Sequence, residues 1–184
     1  MAVIALLAAI LIPSTTAARI AARRAKTKVQ FSQWTIAMDL FRQEYGYYPA
    51  IDGGSGGKVI PDVFAGALTG KGLSGSIAPT TSQLAGNVRR LRFYHLGEGE
   101  LNEGRTELTD GFGNTDIAVI YDKNGDDVVD SADGVALGVH GLEGVTAWTP
   151  ASRDLDLAVG VRAGVIFYSA GHGRASNDLV FSWK

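Results

Sequence analysis

The first 45 residues limit the fold most, because they favour one long helix. Between Pro13 and Gly46 there is neither glycine nor proline, and good helix formers such as Ala, Arg, Lys, Gln and Leu are frequent. Gly46 is typical of a helix end, and Pro49 forbids continuation. A helix of about 45 residues is too long for a compact domain in a chain of 184 residues. We therefore expect its first half to project.

The second half of this predicted helix has apolar residues at helical spacings on two overlapping stripes. One stripe consists of Trp34, Met38, Phe41 and Tyr45. The other contains apolar, small or polar residues, namely Val29, Ser32, Gln33, Ile36, Ala37 and Leu40. The pattern predicts that this part of the helix packs on a globular head.

The segment from Met1 to Ile12 is apolar throughout. As a helix it is roughly 18 Å long, shorter than the ~30 Å hydrocarbon core of a bilayer. Three interpretations compete: the apolar part of a signal peptide, a buried core helix, and a membrane-inserting helix. Small residues at Thr16-Ala17-Ala18 suit cleavage, but no basic segment precedes the run. The helical pattern beyond Pro13 favours membrane insertion.

Composition excludes several classes of function. Hydrophobic residues make up 46% of the chain and charged residues 20%, which suits a packed core. The net charge of −2 gives no general attraction to nucleic acid. With no cysteine, disulfides and thiol chemistry are excluded. Ser169, His172 and Asp178 lie close in sequence but lack a nucleophile-elbow motif. We therefore expect a protein without catalytic activity.

A group of basic residues follows the apolar segment. It comprises Arg19, Arg23, Arg24, Lys26 and Lys28. A charge run of this kind is usually a solvated helix face. Contact with a membrane surface, or with acidic groups of another subunit, is the alternative, and the sequence leaves both open.

The segment 122–133 has the spacing of a calcium loop. Oxygen-bearing side chains stand at loop positions 1, 3, 5, 9 and 12, with a backbone carbonyl at position 7. The predicted ligands are Asp122, Asn124, Asp126, Val128, Asp130 and Asp133. Position 6 is Asp127 instead of glycine, so this aspartate must take the left-handed conformation, which Asp tolerates better than most residues. The alternative is a solvated acidic turn between strands.

The predicted spine resembles that of the type IV pilins and the type II secretion major pseudopilins (G-type). The segment 6–13, LLAAILIP, is similar to the end of the family's hydrophobic helix, and 41–49, FRQEYGYYP, to its Y-x-x-x-x-G-x-Y-P ending. In this alignment the family's N-terminal Phe and its fifth-position Glu fall before Met1. About nine further apolar residues would bring the run to the roughly twenty that span a bilayer. We therefore expect the chain to be truncated at its N-terminus relative to the family.

Two C-terminal segments also resemble pseudopilins. Residues 109–114, TDGFGN, are similar to the D-P-W-G-N turn before the sheet, and the strand Ile117–Tyr121 follows. Residues 168–180 are similar to the family's final calcium-binding loop, although His172 replaces a proline and only Asn177 and Asp178 remain as ligands. We expect strands at 164–171 and 178–183 to flank this loop.

The resemblance implies an α+β fold in which a long N-terminal helical spine packs on a small antiparallel sheet. Residues 1–26 would form the projecting half of the helix. Residues 27–184 would form the head, with a helix to about residue 46, a variable region at 50–107 and the C-terminal sheet and loops at 108–184.

The implied function is polymerisation into a helical filament, either a pilus or a secretion pseudopilus, with calcium stabilising the head. Its partners would be other copies of the chain, the membrane before assembly and the inner-membrane assembly machinery, but no nucleic acid. The subunit would move from the inner membrane into a periplasmic or extracellular filament. Residues implied in assembly are Val3, Ile4, Leu6, Leu7, Ile10, Leu11 and Pro13. The alternative function is a secreted monomeric calcium-binding module whose N-terminal segment is a signal peptide.

Overall fold

The computed structural model describes residues 2–53, 57–73, 79–133, 140–142, 155–173 and 178–184, with side chains from Thr15 onward. Within these residues, two helices and three strands form the framework. They are α1 (Ala2–Tyr45), α2 (Pro61–Thr69), β1 (Ile117–Tyr121), β2 (Val165–Ser169) and β3 (Val180–Phe181). Two short 3₁₀ turns lie at Glu98–Glu100 and Ser131–Asp133. The predicted α+β class, with a long N-terminal helix and a small antiparallel sheet, is confirmed.

Helix α1 is continuous over 44 residues. It ends where the sequence predicts, because Gly46 takes the left-handed conformation with φ +83°. The Gly46 N–H donates to the Arg42 carbonyl at 2.7 Å and so closes the last turn.

In the part of α1 whose side chains are described, from Thr15 onward, burial begins only beyond the midpoint of the helix. Thr27 is the first buried residue among those whose side chains are described. From there Phe31, Trp34, Met38 and Phe41 are fully buried, so one of the two predicted stripes forms the core. Most of the other stripe faces solvent, with Val29, Ile36 and Leu40 exposed at 58%, 56% and 42%, but its Ala37 is 1% exposed and belongs to the core.

The strands form an antiparallel sheet in the order β1-β2-β3. Ile117 pairs with Ser169 at one end of β1 and Tyr121 with Val165 at the other. All residues of these two strands are buried, because apolar side chains cover both faces. Alternate residues such as Val119 and Phe167 contribute to the core that includes α1. This two-sided burial explains why both strands read as unbroken apolar runs.

The strand predicted at 117–121 is confirmed, and the one predicted at 164–171 is observed over Val165–Ser169. The last strand, Val180–Phe181, is shorter than the predicted 178–183. Beyond β3, Ser182 still makes two hydrogen bonds with Phe167 of β2, one as donor and one as acceptor. Its N–H donates to the Phe167 carbonyl at 3.0 Å, and its Oγ accepts from the Phe167 N–H at 2.9 Å.

Helix α2 packs beside α1, with the rings of Phe64 and Trp34 4.7 Å apart. The chain then returns along the C-terminal end of α2, where the N–H groups of Phe93 and Tyr94 both donate to the Leu68 carbonyl at 2.9 Å. The buried Asn87 fixes this return by donating to the carbonyls of Ala67 and Leu91. The variable region is therefore anchored to both helices.

Candidate metal-binding loop

The acidic segment 122–133 starts where β1 ends. The Asp122 N–H donates to the Gly164 carbonyl at 2.8 Å, which extends the pairing with β2 by one residue. Val129 forms a bridge with Val161, and the Ser131 N–H donates to the Leu157 carbonyl. The sheet and the segment 155–161 thus fix both ends of the loop.

The first and last aspartates lie inside the loop. Asp122 is 4% exposed and Asp133 is 1% exposed. Asp122 Oδ1 accepts from the Gly125 N–H at 2.6 Å, and Oδ2 accepts from the Asp127 N–H at 2.8 Å. The Asp122 carboxylate therefore anchors the backbone from inside the loop.

Asp133 closes the loop in the same way. Its Oδ1 accepts from the Lys123 N–H at 2.7 Å and its Oδ2 from the Asp130 N–H at 2.8 Å. Hydrogen bonds to a charged acceptor are stronger than neutral ones, so the two buried aspartates hold the loop in shape.

The remaining predicted side-chain ligands are nearer the surface and form local turns. Asn124 Oδ1 accepts from the Asp126 N–H, and Asp126 Oδ1 accepts from the Val128 N–H, both at 2.9 Å. Asp130 Oδ1 accepts from the Ala132 N–H at 2.6 Å. Each of these is a side-chain bond to the backbone two residues ahead.

The tight bend at loop position 6 has the backbone conformation that the sequence requires. Asp127 has φ +62°, in the left-handed region, and Gly125 has φ +85°. Asp127 occupies the place that glycine usually takes in such loops, at a modest conformational cost.

Arg42 connects the loop to the end of α1, a contact that the sequence analysis missed. Its Nη1 lies 2.8 Å from Asp127 Oδ1, 3.2 Å from the Tyr48 hydroxyl and 3.7 Å from Asp122 Oδ2. The bonds to Tyr48 and then to Asp127 move the pKa of Arg42 further above its ordinary value. The available signal was a basic residue in the last turn of the helix, which pointed to the helix dipole and not to a loop 85 residues away.

Tyr48 also contacts Arg42, at the junction between the end of α1 and the acidic loop. Its hydroxyl donates to Asp39 Oδ1 at 2.8 Å and accepts from Arg42. Burial, opposed in part by the Arg42 bond, raises the pKa of Tyr48 to about 12. An open polar cavity of about 930 Å³ lies beside the junction, lined in part by Asp126 and Arg162.

The structure brings all six predicted calcium ligands into one loop but does not gather their carboxylates around a point. Among the residues whose side chains are described, no group of three or more His, Cys, Asp or Glu is arranged to hold a metal ion. The donor chemistry nevertheless suits calcium, since every predicted ligand atom is oxygen. Two of the six, Asp122 and Asp133, are already buried inside the loop.

In the described part of the second loop, between β2 and β3, Asp178 lies near two basic side chains. Asp178 lies 3.9 Å from His172 Nδ1 and 3.9 Å from Arg24 Nη2. Asn177 falls outside the described residues. Ser169 Oγ donates to Asp110 Oδ2 at 2.7 Å and not to the histidine.

Asp110 is a second structural residue that the sequence analysis missed. It is 3% exposed, and its Oδ1 accepts from the N–H groups of Phe112 and Asn114. Asn114 in turn donates to the Gly171 carbonyl at 2.7 Å. The predicted turn 109–114 is therefore bonded to the start of the C-terminal loop.

The predicted assembly residues lie on the first turns of α1, where only the backbone is described. The side chains of Val3, Ile4, Leu6, Leu7, Ile10, Leu11 and Pro13 fall outside the described part of the structure. Within that part, α1 and α2 contain no stretch with the length and hydropathy of a membrane span.

Comparison of the chain with protein families, with characterised proteins and with solved structures gives no match.

Proposed function

We propose that this chain is the structural subunit of a helical filament of the type IV pilin and type II secretion pseudopilin class. One observation carries the proposal: α1 is a single helix of 44 residues, and among its described side chains, from Thr15 onward, the first buried one is Thr27. At 1.5 Å per residue, the part before Thr27 is roughly 38 Å long. The described side chains before Thr27, from Thr15 onward, are exposed or partly buried and so leave surface available for partners.

The composition of the projecting part indicates that its partners are other copies of itself. Its first twelve residues are apolar and include the small residues Ala5, Ala8 and Ala9. Small residues let helices approach closely, and burying apolar surface between helices stabilises a bundle. A head-to-tail contact repeated along an axis gives an open filament. Before assembly, the same segment would hold the subunit in the membrane.

Assembly of the 184-residue chain tests the proposal. We expect filaments after detergent removal, seen by negative-stain electron microscopy and as sedimenting material. The double variant Leu7→Asp with Leu11→Asp puts two charges in the apolar segment and should abolish them. The matched control, Val88→Asp with Val159→Asp, makes the same change at head residues that are 68% and 80% exposed. It should assemble normally.

Two results would count against the filament. One is assembly of the Leu7→Asp, Leu11→Asp variant at the level of the unsubstituted chain. The other is an unsubstituted chain that stays monomeric after detergent removal, which would favour the secreted calcium-binding module.

We further propose that the loop 122–133 binds calcium and so stabilises the head. Support comes from the all-oxygen donor set, from the buried Asp122 and Asp133, and from the left-handed Asp127 at the bend. The predicted ligands would hold the ion, which would offset the mutual repulsion of the loop carboxylates. Binding to the folded state alone raises stability.

Thermal unfolding with calcium and with chelator tests the calcium site. At a calcium concentration a hundred times the Kd, we expect the Tm to rise by about 5–10 °C. The variant Asp126→Ala with Asp130→Ala should lose this response. Asp156→Ala is the matched control, because Asp156 Oδ1 makes the same bond to a backbone N–H two residues ahead, outside the loop. Equal Tm values with calcium and chelator would refute the site.

A further inference from the structure

A second cavity lies on one side of the head. It is formed by the end of α2 and by the segment around Phe93 and Tyr94 that returns along it, which we call the return segment. Its volume is about 300 Å³, and we call it the basic cavity. Polar and charged side chains on its lining are Thr69, Lys71, Arg92, Tyr94, His95 and Arg105. It is separate from the acidic loop, with which it shares no lining residue.

Three cations line this cavity, and its described lining includes no carboxylate. Among the described residues, Lys71, Arg92 and Arg105 make no ion pair, and none of their side chains forms a hydrogen bond. The basic cavity has no Asp or Glu in its described lining. All three residues are exposed, and an anion bound among them would reduce their mutual repulsion.

One acidic side chain of the same segment, Glu100, is engaged elsewhere. Glu100 is 8% exposed, and its Oε1 accepts from the Tyr94 hydroxyl at 2.6 Å. Its Oε2 accepts from the Gly97 N–H at 2.8 Å. The Glu100 carboxylate therefore holds Tyr94, which lines the cavity, in place.

The end of α2 does not need the cations either. Cations often cap the last carbonyls of a helix. Here the carbonyls of Gly66, Ala67 and Leu68 already accept from other groups, namely the N–H of Gly70, the Asn87 side chain and the N–H groups of the return segment. Capping therefore does not explain the three positive charges.

The rest of the lining is apolar. Leu73 is 7% exposed, Leu96 and Leu101 are partly buried, and the Tyr94 ring packs edge-on against Phe64. A ligand for this cavity would therefore combine an anionic group with an apolar part. Arginine pairs match the oxygens of phosphate in a bidentate manner, and a phosphate monoester carries close to two negative charges at neutral pH.

We propose that the basic cavity binds a phosphate monoester attached to an apolar group. The phosphate would lie among Lys71, Arg92 and Arg105, and the apolar part would lie against Leu73, Leu96 and Leu101. This site is independent of filament assembly and of calcium. The phosphate has two possible sources, a soluble metabolite or a lipid headgroup.

Calorimetric titration of the 184-residue chain with phenyl phosphate tests the site. We expect one binding site whose affinity falls as salt is raised. Inorganic phosphate should bind more weakly, because it lacks the apolar part, and phenol should not bind. Arg92→Gln with Arg105→Gln should weaken phenyl phosphate binding at least tenfold. The matched control, Arg19→Gln with Arg23→Gln, removes the same charge from exposed residues of α1 and should bind normally.

Flotation with vesicles separates the two sources. Binding of phenyl phosphate in solution indicates a soluble ligand, whereas binding only to vesicles containing phosphatidic acid, and not to phosphatidylcholine alone, indicates a lipid. In either case, Arg92→Gln with Arg105→Gln must remove the binding. Retained binding in that variant, equal loss in the Arg19→Gln, Arg23→Gln control, or no binding to any phosphate probe would overturn the proposal.

Discussion

The acidic loop and the basic cavity are both charged, but the fold uses their charges differently. In the loop, Asp122 and Asp133 each accept two backbone N–H groups, and Arg42 supplies a positive charge from α1. In the cavity, no described group pairs with Lys71 or Arg92. The loop carboxylates maintain local structure, whereas the cavity cations contribute no bond to the fold. Changes in the loop should therefore alter stability, and changes in the cavity should alter binding.

The largest effect on stability is expected from Asp122→Ala. The substitution leaves the N–H groups of Gly125 and Asp127 without their acceptor and should lower the free energy of unfolding by about 3 kcal/mol. Urea unfolding in the presence of chelator measures this without any contribution from calcium. Asp156→Ala, which removes one exposed bond, should cost much less. Equal losses in the two variants would show that Asp122 is not an anchor of the loop.

Removal of the arginine at the junction should have an intermediate effect. Arg42→Met keeps most of the aliphatic packing but loses the contacts with Asp127 and Tyr48, and should cost about 1 kcal/mol. High salt should reduce the difference from the unsubstituted chain, because the Arg42 side chain is 30% exposed. Arg19→Met, on the exposed helix, is the control. A cost that does not change with salt would indicate lost packing instead of lost charge pairing.

A smaller effect is expected at alkaline pH. The pKa of Tyr48 is about 12 in the folded chain, above the value of about 10 typical of an unfolded chain. Its contribution to stability is therefore complete below pH 10 and is lost as the pH rises through 12. Tyr48→Phe should reduce the alkaline loss of stability, measured by urea unfolding between pH 9 and about pH 12. The exposed Tyr47→Phe serves as control, and identical pH profiles for the two variants would contradict this assignment.

The smallest effect on stability is expected in the basic cavity. Arg92→Gln with Arg105→Gln removes no described hydrogen bond or ion pair, so the free energy of unfolding should change by less than about 0.5 kcal/mol. A loss above about 1 kcal/mol would mean that these arginines are structural after all, and the contrast with the loop would fail.

Local sequence rules predicted the parts of the fold that depend on neighbouring residues. The end of α1 at Gly46, the strand Ile117–Tyr121 and the left-handed Asp127 all follow from preferences that act over a few residues. The spacing of the six predicted calcium ligands is likewise a property of one short segment. Each of these features can therefore be recognised without knowledge of the tertiary structure.

The tertiary structure decided which of two equivalent patterns was used. Both stripes of α1 have helical spacing, yet Trp34 and Phe41 are buried while Val29 and Ile36 are exposed. Periodicity identifies a face that can be buried, but only packing against the sheet and α2 selects one.

Contacts between residues far apart in the chain could not be predicted from the sequence either. Arg42 meets Asp127 across 85 residues, and Ser169 meets Asp110 across 59. The cations of the basic cavity come from three separate segments, around Lys71, Arg92 and Arg105. The sequence by itself determined the long helix, the principal strands and the spacing of the predicted ligands in the loop 122–133. These features depend on local backbone preferences or on one short segment. Only the tertiary structure decided which charges are paired and which remain available, because that depends on how distant segments pack together.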